Sequence, residues 1–317
     1  MYSYYQQKII SHFKDALLSK TVRHAYVISG QAGVGKKTVS QTLKLLFACK
    51  TFSACSSCNG CQSAMSGANP DIITMTNSGK NSYEIDQIRA LIKSVYEKPM
   101  NSPYKLVILE NAHLLGEKCQ NALLKVIEEP PPYAVFVLLT DEVSMMLPTI
   151  MSRVMHMELL PWKENELRQF VSAEDFFYKY SMGKVGSLIS LLKDEDFKAM
   201  RQRTLEEFEK FLFGDEFGIY EITKSWTDNK ERLSDILNVI TLFLRDIIFY
   251  KNGQTDLIIN GDRQDAIKRV SEKITLSRAL EMTDIVGNIP RRMGHNENLS
   301  MILQEMFTNV MSVKARK

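Results

Sequence analysis

The chain has 317 residues, 44% of them hydrophobic, and 40 Lys and Arg side chains against 37 Asp and Glu give a formal net charge of +3. Because single cores stop growing below this length, two or three domains are expected, and the charge balance is too even to indicate nucleic-acid binding by itself. The longest apolar stretch, Tyr133 to Leu139, is too short to span a bilayer, so we expect a cytoplasmic protein without a membrane partner.

Up to about residue 160, short apolar runs alternate with helical patterns, which is typical of an α/β fold with a parallel sheet and helices on both faces. The candidate strands are Ala25–Ser29, Asp71–Met75, Lys105–Glu110, Ala134–Thr140 and Val154–Leu159. A helix is predicted from Glu117 to Glu129. It should end there because the three prolines at positions 130–132 remove successive backbone donors.

A glycine-rich stretch, GQAGVGKKT, follows the first predicted strand directly. Its glycines let backbone N–H groups turn inward around phosphate oxygens, as in a phosphate-binding loop (P-loop). These glycines are Gly30, Gly33 and Gly35. Lys36 stands where an ammonium reaches the outer phosphates, but the next position, which should carry the hydroxyl that binds Mg²⁺, is Lys37. Thr38 follows one residue later, a helical rotation of about 100°, so we expect its hydroxyl to point elsewhere.

A second departure lies at the end of the third apolar run. Glu110 occupies the place where a P-loop protein carries its metal-positioning Asp. The following residue is Asn111, where hydrolysing ATPases of this type carry the Glu that polarises the attacking water. An amide does not accept a proton at neutral pH. Together with Lys37, these residues predict a P-loop site that does not hydrolyse nucleotide.

Four of the five cysteines lie within thirteen residues, at positions Cys49, Cys55, Cys58 and Cys61. Two consecutive Cys-x2-Cys steps suit a tetrahedral Zn²⁺ with Zn–S distances of about 2.3 Å. A disulfide is disfavoured because the cytosol keeps thiols reduced. An iron-sulfur cluster remains an alternative, since four cysteines ligate it as well. The spacing leaves no fifth ligand and no nearby His, which indicates a structural site.

After Pro161 the strand signal fades. Residues 162 to about 200 predict a few short helices, and from Arg201 onward the apolar spacing is helical. The clearest example is the set Leu233, Ile236, Leu237, Ile240, Leu244 and Ile247.

These motifs resemble the delta-prime subunits of bacterial DNA polymerase III clamp loaders, a family of the AAA+ class. The resemblance rests on HAYVISGQAGVGKKT from His24, the cysteine module, NPDIITM from Asn69, QNALLKVIEEPP from Gln120 and LPTIMSR from Leu147. A looser likeness to the family's collar lies in FLRDIIFYKNG from Phe243 and NLSMILQEMF from Asn298.

The resemblance implies three domains: an AAA+ core over residues 1–160 with the zinc module at 49–61, a helical lid over 161–200, and a helical collar over 201–317. It also implies a hetero-pentamer with gamma/tau and delta subunits. In this family the ring places the sliding clamp on primer-template DNA. The chain would then be an accessory subunit of the DNA polymerase III holoenzyme.

Departures from the family's ATPases indicate which kind of subunit this is. Gamma/tau subunits carry Thr after the P-loop Lys, an Asp-Glu pair after the central strand, and an Arg after Gly-Ser-x in the lid. This chain carries Lys37, Glu110, Asn111 and Ile189 instead. We therefore expect no intrinsic ATPase activity, with ATP or ADP bound weakly or not at all.

Arg153 is the residue to which the resemblance assigns a catalytic role. In LPTIMSR, Ser152 and Arg153 match the family motif whose Arg projects into the ATP site of a neighbouring subunit. Such an arginine finger contributes roughly 10³ to 10⁵ in rate.

Three alternative functions fit the sequence less well. An ATP-hydrolysing gamma/tau-type subunit is disfavoured by the residues at the P-loop site. A P-loop nucleotide kinase is disfavoured because such enzymes do not require the EEPP sequence followed by SR. A zinc-dependent nucleic-acid-binding module would need basic and aromatic residues beside the cysteines, where this chain has mainly Ser, Ala, Asn and Gly.

Overall fold

The computed structural model describes residues 2–77, 82–214, 218–293 and 298–315. The chain forms two compact units. The first comprises residues 1–173 and 181–189, and the second comprises residues 174–180 and 190–317. The division into core, lid and collar stays a prediction.

The first unit contains a five-stranded sheet in the order β2-β3-β4-β1-β5, and every neighbouring pair is parallel. The strands are β1 (Ala25–Ser29), β2 (Ile72–Met75), β3 (Lys105–Leu109), β4 (Ala134–Thr140) and β5 (Met155–Glu158). All residues of β1, β3 and β4 are buried, which is why these strands have nearly continuous apolar sequences. The predicted parallel sheet is confirmed.

Helices cover both faces of this sheet. In chain order, the helices up to residue 193 are α1 (Tyr4–Ser19), α2 (Lys36–Ala48), α3 (Asn59–Met65), α4 (Ile85–Val95), α5 (Glu117–Glu128), α6 (Pro148–Met151), α7 (Glu164–Phe170), α8 (Asp175–Ser181) and α9 (Val185–Lys193). Residues 175–180 of α8 and 190–193 of α9 belong to the second unit. One hydrophobic cluster joins the sheet to α1 and α2, and another joins its opposite face to α4, α5 and α6. Successive residues of β1 point to opposite faces of the sheet. Val27 belongs to the cluster with α4, α5 and α6, and Ile28 belongs to the cluster with α1 and α2.

The second unit is helical throughout its described residues. Its further helices are α10 (Phe197–Phe213), α11 (Gly218–Asp228), α12 (Leu233–Lys251), α13 (Gln264–Lys273), α14 (Leu276–Arg292) and α15 (Leu299–Ala315). The six apolar residues that predicted helix around position 240 are all buried in α12. Within the described ranges, every helix falls short of the length and apolarity needed to cross a membrane.

The NPD sequence before β2 connects three parts of the first unit. The Asp71 carboxylate is buried and accepts hydrogen bonds from the backbone N–H groups of Met100, Asn101 and Ser102 at 2.7, 2.6 and 2.8 Å. The Asn69 side chain accepts the N–H of Asp71 at 3.0 Å and donates to a hydroxyl of α3. These bonds fix the turn that leads into β3 and tie the cysteine region to the sheet.

We predict that Asp71→Ala lowers the free energy of unfolding by about 3 kcal/mol, because three backbone donors lose a charged acceptor at a buried position. Urea denaturation followed by circular dichroism measures this. Asp86→Ala is the matched control, since the Asp86 side chain is 86% exposed and should give no measurable change. Similar losses in both variants would contradict the role assigned to Asp71.

Candidate functional site

The glycine-rich loop adopts a conformation that suits glycine. Gly33 and Gly35 have φ values of 84° and 103°, in the left-handed region that other residues rarely occupy, and Gly35 caps the start of α2. A Cβ at Gly35 would lie 2.2 Å from Nε2 of Gln6, a buried residue of α1. The loop therefore has the backbone expected of a P-loop, with α1 packed against its end.

Carbonyl groups of the loop are hydrogen-bonded to the surrounding structure. The Gly33 carbonyl accepts the N–H of Gly186 at 2.7 Å, and the Val34 carbonyl accepts the Trp162 indole N–H at 3.3 Å. Gln6 donates to the Gly35 carbonyl at 3.3 Å. The loop is thus held by residues from α1, from α9 and from the segment after β5.

The Lys36 ammonium has three acceptors from its own chain. It donates to the carbonyls of Gly30 and Gln31 at 2.6 and 3.0 Å, and it pairs with Oδ1 of Asp141 at 2.6 Å. An ammonium has three N–H donors, so each has an acceptor. Only 10% of the Lys36 side chain is exposed, which makes the ion pair with Asp141 stronger than a surface pair. A phosphate that binds here has to compete with these contacts.

A cavity of about 340 Å³ lies beside the loop. Two lysines, Lys36 and Lys37, lie on its wall together with apolar and aromatic side chains from residues 162–189. The lining residues are Ala32, Gly33, Gly35, Lys36, Lys37, Thr38, Asn111, Asp141, Trp162, Phe170, Val185, Gly186 and Ile189. Most predicted P-loop residues thus meet at one cavity. Thr38, whose hydroxyl we expected to point elsewhere, also contributes to the wall.

Gly30 and Glu110 are not among the residues that line the cavity. Glu110 is buried at the end of β3, and its backbone carbonyl accepts a hydrogen bond from the Tyr83 hydroxyl. Burial, followed by the charge of Glu110, raises the pKa of Tyr83 to about 12. Asn111 has a left-handed backbone with φ 52°, which Asn tolerates, and its amide donates to Oδ1 of Asn77 at 3.2 Å. An amide, and not a carboxylate, therefore faces the cavity from this strand end.

The four predicted cysteine ligands come together at the far end of α2, about 20 Å along the helix from Lys36. Their sulfur atoms all lie within 4.8 Å of one another. The Sγ atoms of Cys49 and Cys55 are 3.7 Å apart, and those of Cys55 and Cys61 are 3.9 Å apart. A zinc tetrahedron with Zn–S bonds of about 2.3 Å has sulfur-sulfur edges of about 3.8 Å. The four cysteines are therefore arranged to hold one metal ion.

The backbone around these cysteines is strained in a way that fits a metal site. Phe52, Ala54 and Ser56 all have positive φ values, between 50° and 60°, which cost energy in residues other than glycine. At Gly60, a Cβ would lie 2.0 Å from the carbonyl oxygen of Ala48, so only glycine lets α3 approach the end of α2 this closely. A bound ion would offset the cost of this geometry.

Two thiols of the cluster have pKa values shifted in opposite directions: burial raises the pKa of Cys61 to about 12, whereas the pKa of Cys49 is lowered. Burial opposes its charged form, but hydrogen bonds from Cys55, Thr51 and Ser53 outweigh burial and lower the pKa of the Cys49 thiol to about 4. The thiolate is the form that binds metal ions.

Arg153 follows the short helix α6 and lies outside the cavity wall. Its Nε is 2.7 Å from Oε1 of Glu128, and its Nη1 donates to the Thr149 carbonyl at 2.9 Å and the Ser152 hydroxyl at 3.0 Å. Forty percent of the side chain is exposed. Arg153 is thus accessible and has an acidic partner on α5.

Gln120 is a positioning residue that the sequence did not single out, although it begins one of the motifs. Its buried side chain donates to the carbonyls of Leu115 and Met145 at 2.8 and 2.9 Å. Its Oε1 accepts the N–H of Leu147 at 2.7 Å. Gln120 therefore fixes the start of LPTIMSR to α5, a link that only the three-dimensional structure reveals.

A family model described as "DNA polymerase III, delta subunit" matches residues 5–163, and one described as "DNA polymerase III, delta subunit, C terminal" matches residues 195–310. The chain belongs to the DNA polymerase III delta subunit family. The resemblance drawn from the motifs is confirmed.

Two relatives are similar to this chain to different extents. DNA polymerase III subunit delta' of Bacillus subtilis (strain 168) is 23% identical over 312 residues, which cover 95% of this chain and 94% of that protein. DNA polymerase III subunit gamma of Buchnera aphidicola subsp. Acyrthosiphon pisum (strain APS) is 30% identical over 169 residues, 52% of this chain. The match spans 46% of the Buchnera protein, about half of its length.

A DNA polymerase III gamma subunit-related protein from Thermotoga maritima shares the fold. Its crystal structure superposes with a TM-score of 0.52 at 15% identity, covering 96% of this chain and 99% of that chain. The AAA+ fold predicted from the sequence is confirmed.

We predict that Asp141→Asn strengthens the binding of ATP or ADP about tenfold, because the change removes the carboxylate that neutralises Lys36. Isothermal titration calorimetry with each nucleotide measures the change. Glu142→Gln removes a neighbouring exposed charge that has no contact with Lys36, and it should leave the affinity unchanged. Identical affinities in wild type and Asp141→Asn would show that the ion pair does not restrict the site.

Proposed function

We propose that this chain is a non-hydrolysing delta-prime subunit of a DNA polymerase III clamp loader. Its membership of the delta subunit family and its nearly full-length likeness to the Bacillus subtilis delta' subunit support this function. The observation that carries the proposal is the state of the P-loop. Its lysine is bound to Asp141 and to two loop carbonyls, and Lys37 replaces the hydroxyl that would bind magnesium.

The lack of hydrolysis follows from which groups face the cavity. Hydrolysis of ATP needs a bound metal ion and a base or dipole that orients the attacking water. The groups at those places are Lys37, a cation that repels metal ions, and the Asn111 amide. Glu110 is buried outside the cavity wall, and Ile189 stands where the ATPases carry a phosphate-sensing Arg. We propose that nucleotide binds here weakly or not at all.

Arg153 is the proposed functional residue of this subunit. Its guanidinium is accessible, and in a ring of AAA+ subunits it would act in trans at the ATP site of a neighbouring gamma/tau subunit. Transfer of the γ-phosphoryl group develops negative charge, which a guanidinium from the adjoining chain stabilises. The subunit that supplies this cation need not hydrolyse ATP itself.

The second candidate is a gamma/tau-type ATPase subunit. It is favoured by the higher identity to the Buchnera gamma subunit, 30% against 23%, but that match covers only 52% of the chain. The cavity residues Lys37, Asn111 and Ile189 argue against ATP hydrolysis by this chain. The first proposal therefore explains more of the chain.

The proposed partners follow from this role. They are gamma/tau and delta subunits in a hetero-pentamer, the sliding clamp, and primer-template DNA. We place the protein in the cytoplasm, with an AAA+ core at 1–160, a lid at 161–200 and a collar at 201–317.

We propose that the four-cysteine site binds a structural Zn²⁺. The sulfur-sulfur distances fit one tetrahedral ion, whereas an iron-sulfur cluster spreads its four thiolates over two or four irons and so separates some of them further. With all four ligands from the protein, the ion would supply folding free energy and no chemistry.

We predict one zinc per chain by elemental analysis of protein purified without chelator. Because the unfolded chain has no preformed site, removing zinc should lower the thermal unfolding temperature, and added zinc should restore it. Cys119→Ser is a suitable control, since Cys119 lies outside the cluster and should leave the zinc content unchanged. Iron, or protein that is fully stable without metal, would contradict the assignment.

We predict that Arg153→Ala lowers ATP turnover at the adjoining gamma/tau subunit at least about tenfold, while the ring still assembles. The measurement is ATPase activity of the reconstituted ring with clamp and primed DNA, with assembly checked by gel filtration. Arg153→Lys should rescue poorly, because an ammonium lacks the planar fork of a guanidinium. Equal rates with wild-type and Arg153→Ala subunits would refute the in-trans role.

A further inference from the structure

We propose that Glu128 is a positioning residue for Arg153, and that α5 is the support that sets the place of the arginine finger. The inference rests on the proposed in-trans role of Arg153 and goes beyond it. Glu128 is not among the residues that line the P-loop cavity of its own subunit. It acts by holding the guanidinium of Arg153.

The contacts of Arg153 divide its guanidinium into an anchored edge and an open end. Nε binds the Glu128 carboxylate, and Nη1 donates to Thr149 and Ser152. In the described part of the chain, Nη2 has no partner. Its two N–H groups are therefore available to oxygens of another molecule, while the anchored edge restricts the long side chain. Restricting it beforehand reduces the conformational entropy lost when the finger binds.

A carboxylate at the position of Glu128 destabilises the helix. We therefore infer that Glu128 is present because it binds Arg153. It is the last residue of α5, where the helix dipole disfavours a carboxylate. Arg153 offsets this repulsion through the ion pair at 2.7 Å. Glu129 follows directly and is exposed, but no hydrogen bond or ion pair of its carboxylate occurs among the described residues. The two adjacent acids thus differ in their contact with Arg153.

The finger segment has a second anchor on the same helix. Gln120, eight residues before Glu128 and therefore about 12 Å away along α5, binds the backbone at Met145 and Leu147. Between these anchors, Ile150 of α6 is buried in the hydrophobic cluster that includes α5 residues. The segment from 145 to 153 is fixed to α5 at its start, in its middle and at its end.

The expected effect is modest, because both partners are about two-fifths exposed. An ion pair of this exposure corresponds to about two- to fivefold in an equilibrium or rate. Glu128→Ala should therefore lower the turnover number of the adjoining ATPase about two- to fivefold and leave its KM unchanged. A finger acts on the transition state, so a loss of positioning lowers the turnover number selectively.

The experiment compares reconstituted rings that carry wild-type, Glu128→Ala, Glu128→Gln or Glu129→Ala subunits, with turnover number and KM measured for ATP in the presence of clamp and primed DNA. Glu128→Gln keeps the shape of the side chain and removes its charge. Its turnover number should therefore lie between those of the wild-type and Glu128→Ala rings. Glu129→Ala is the matched control and should behave as wild type. Thermal unfolding and gel filtration of each variant confirm folding and assembly.

A double variant separates this inference from the function on which it rests. If Glu128 acts through Arg153, then Arg153→Ala with Glu128→Ala should have the same rate as Arg153→Ala alone. A further loss in the double variant would overturn the positioning role, as would unchanged or increased turnover in Glu128→Ala while Arg153→Ala is impaired. No loss in Arg153→Ala itself would instead overturn the proposed finger.

Discussion

The contact between Lys36 and Asp141 determines what the P-loop of this chain can do. In a working P-loop the lysine is the cation that approaches the outer phosphates. Here its ammonium bridges the first two carbonyls of the loop and the acid that follows β4. The lysine then links the loop to the neighbouring strand at the carboxyl edge of the sheet. This explains how the loop can keep its backbone shape while the residues needed for metal binding have been replaced.

Several of the motifs that identify the family are bonded to one another in the structure. Gln120 and Glu128, from QNALLKVIEEPP, hold the segment LPTIMSR at two points. Asn69 and Asp71, from NPDIITM, join the cysteine region and the turn before β3. Gln120, Asn69 and Asp71 are buried and bind particular backbone groups there, where an unpaired donor is costly. Glu128 is exposed and pairs with a side chain instead. The family motifs therefore stabilise the fold of the first unit, in addition to marking a functional site.

The sequence predicted the features that depend on local pattern. Fully buried parallel strands need continuous apolar runs, which predicted β1, β3 and β4. The partly exposed strands β2 and β5 were also found, and β2, β3 and β5 are each shorter than predicted. The glycine spacing and the cysteine spacing were equally informative, because each imposes a local geometry. Contacts between distant segments carry no such pattern. Asp141 lies more than one hundred residues after Lys36, and nothing in the sequence indicates that it is the lysine's partner. Nor does the sequence indicate that Glu110 lies outside the cavity wall.

Two cation-carboxylate pairs of the first unit, Lys36–Asp141 and Arg153–Glu128, differ in a way that matches their proposed roles. Lys36 is 10% exposed and Asp141 29%, whereas Arg153 and Glu128 are 40% and 44% exposed. Separating the more buried pair leaves a charge in a poorly solvated place, so Lys36 is retained by its own chain. The exposed pair is worth about 1 kcal/mol or less, and among the described residues it leaves Nη2 of Arg153 without a partner. A second molecule can therefore bind Arg153 with little loss of free energy, while the Lys36 ammonium remains bound within its own subunit.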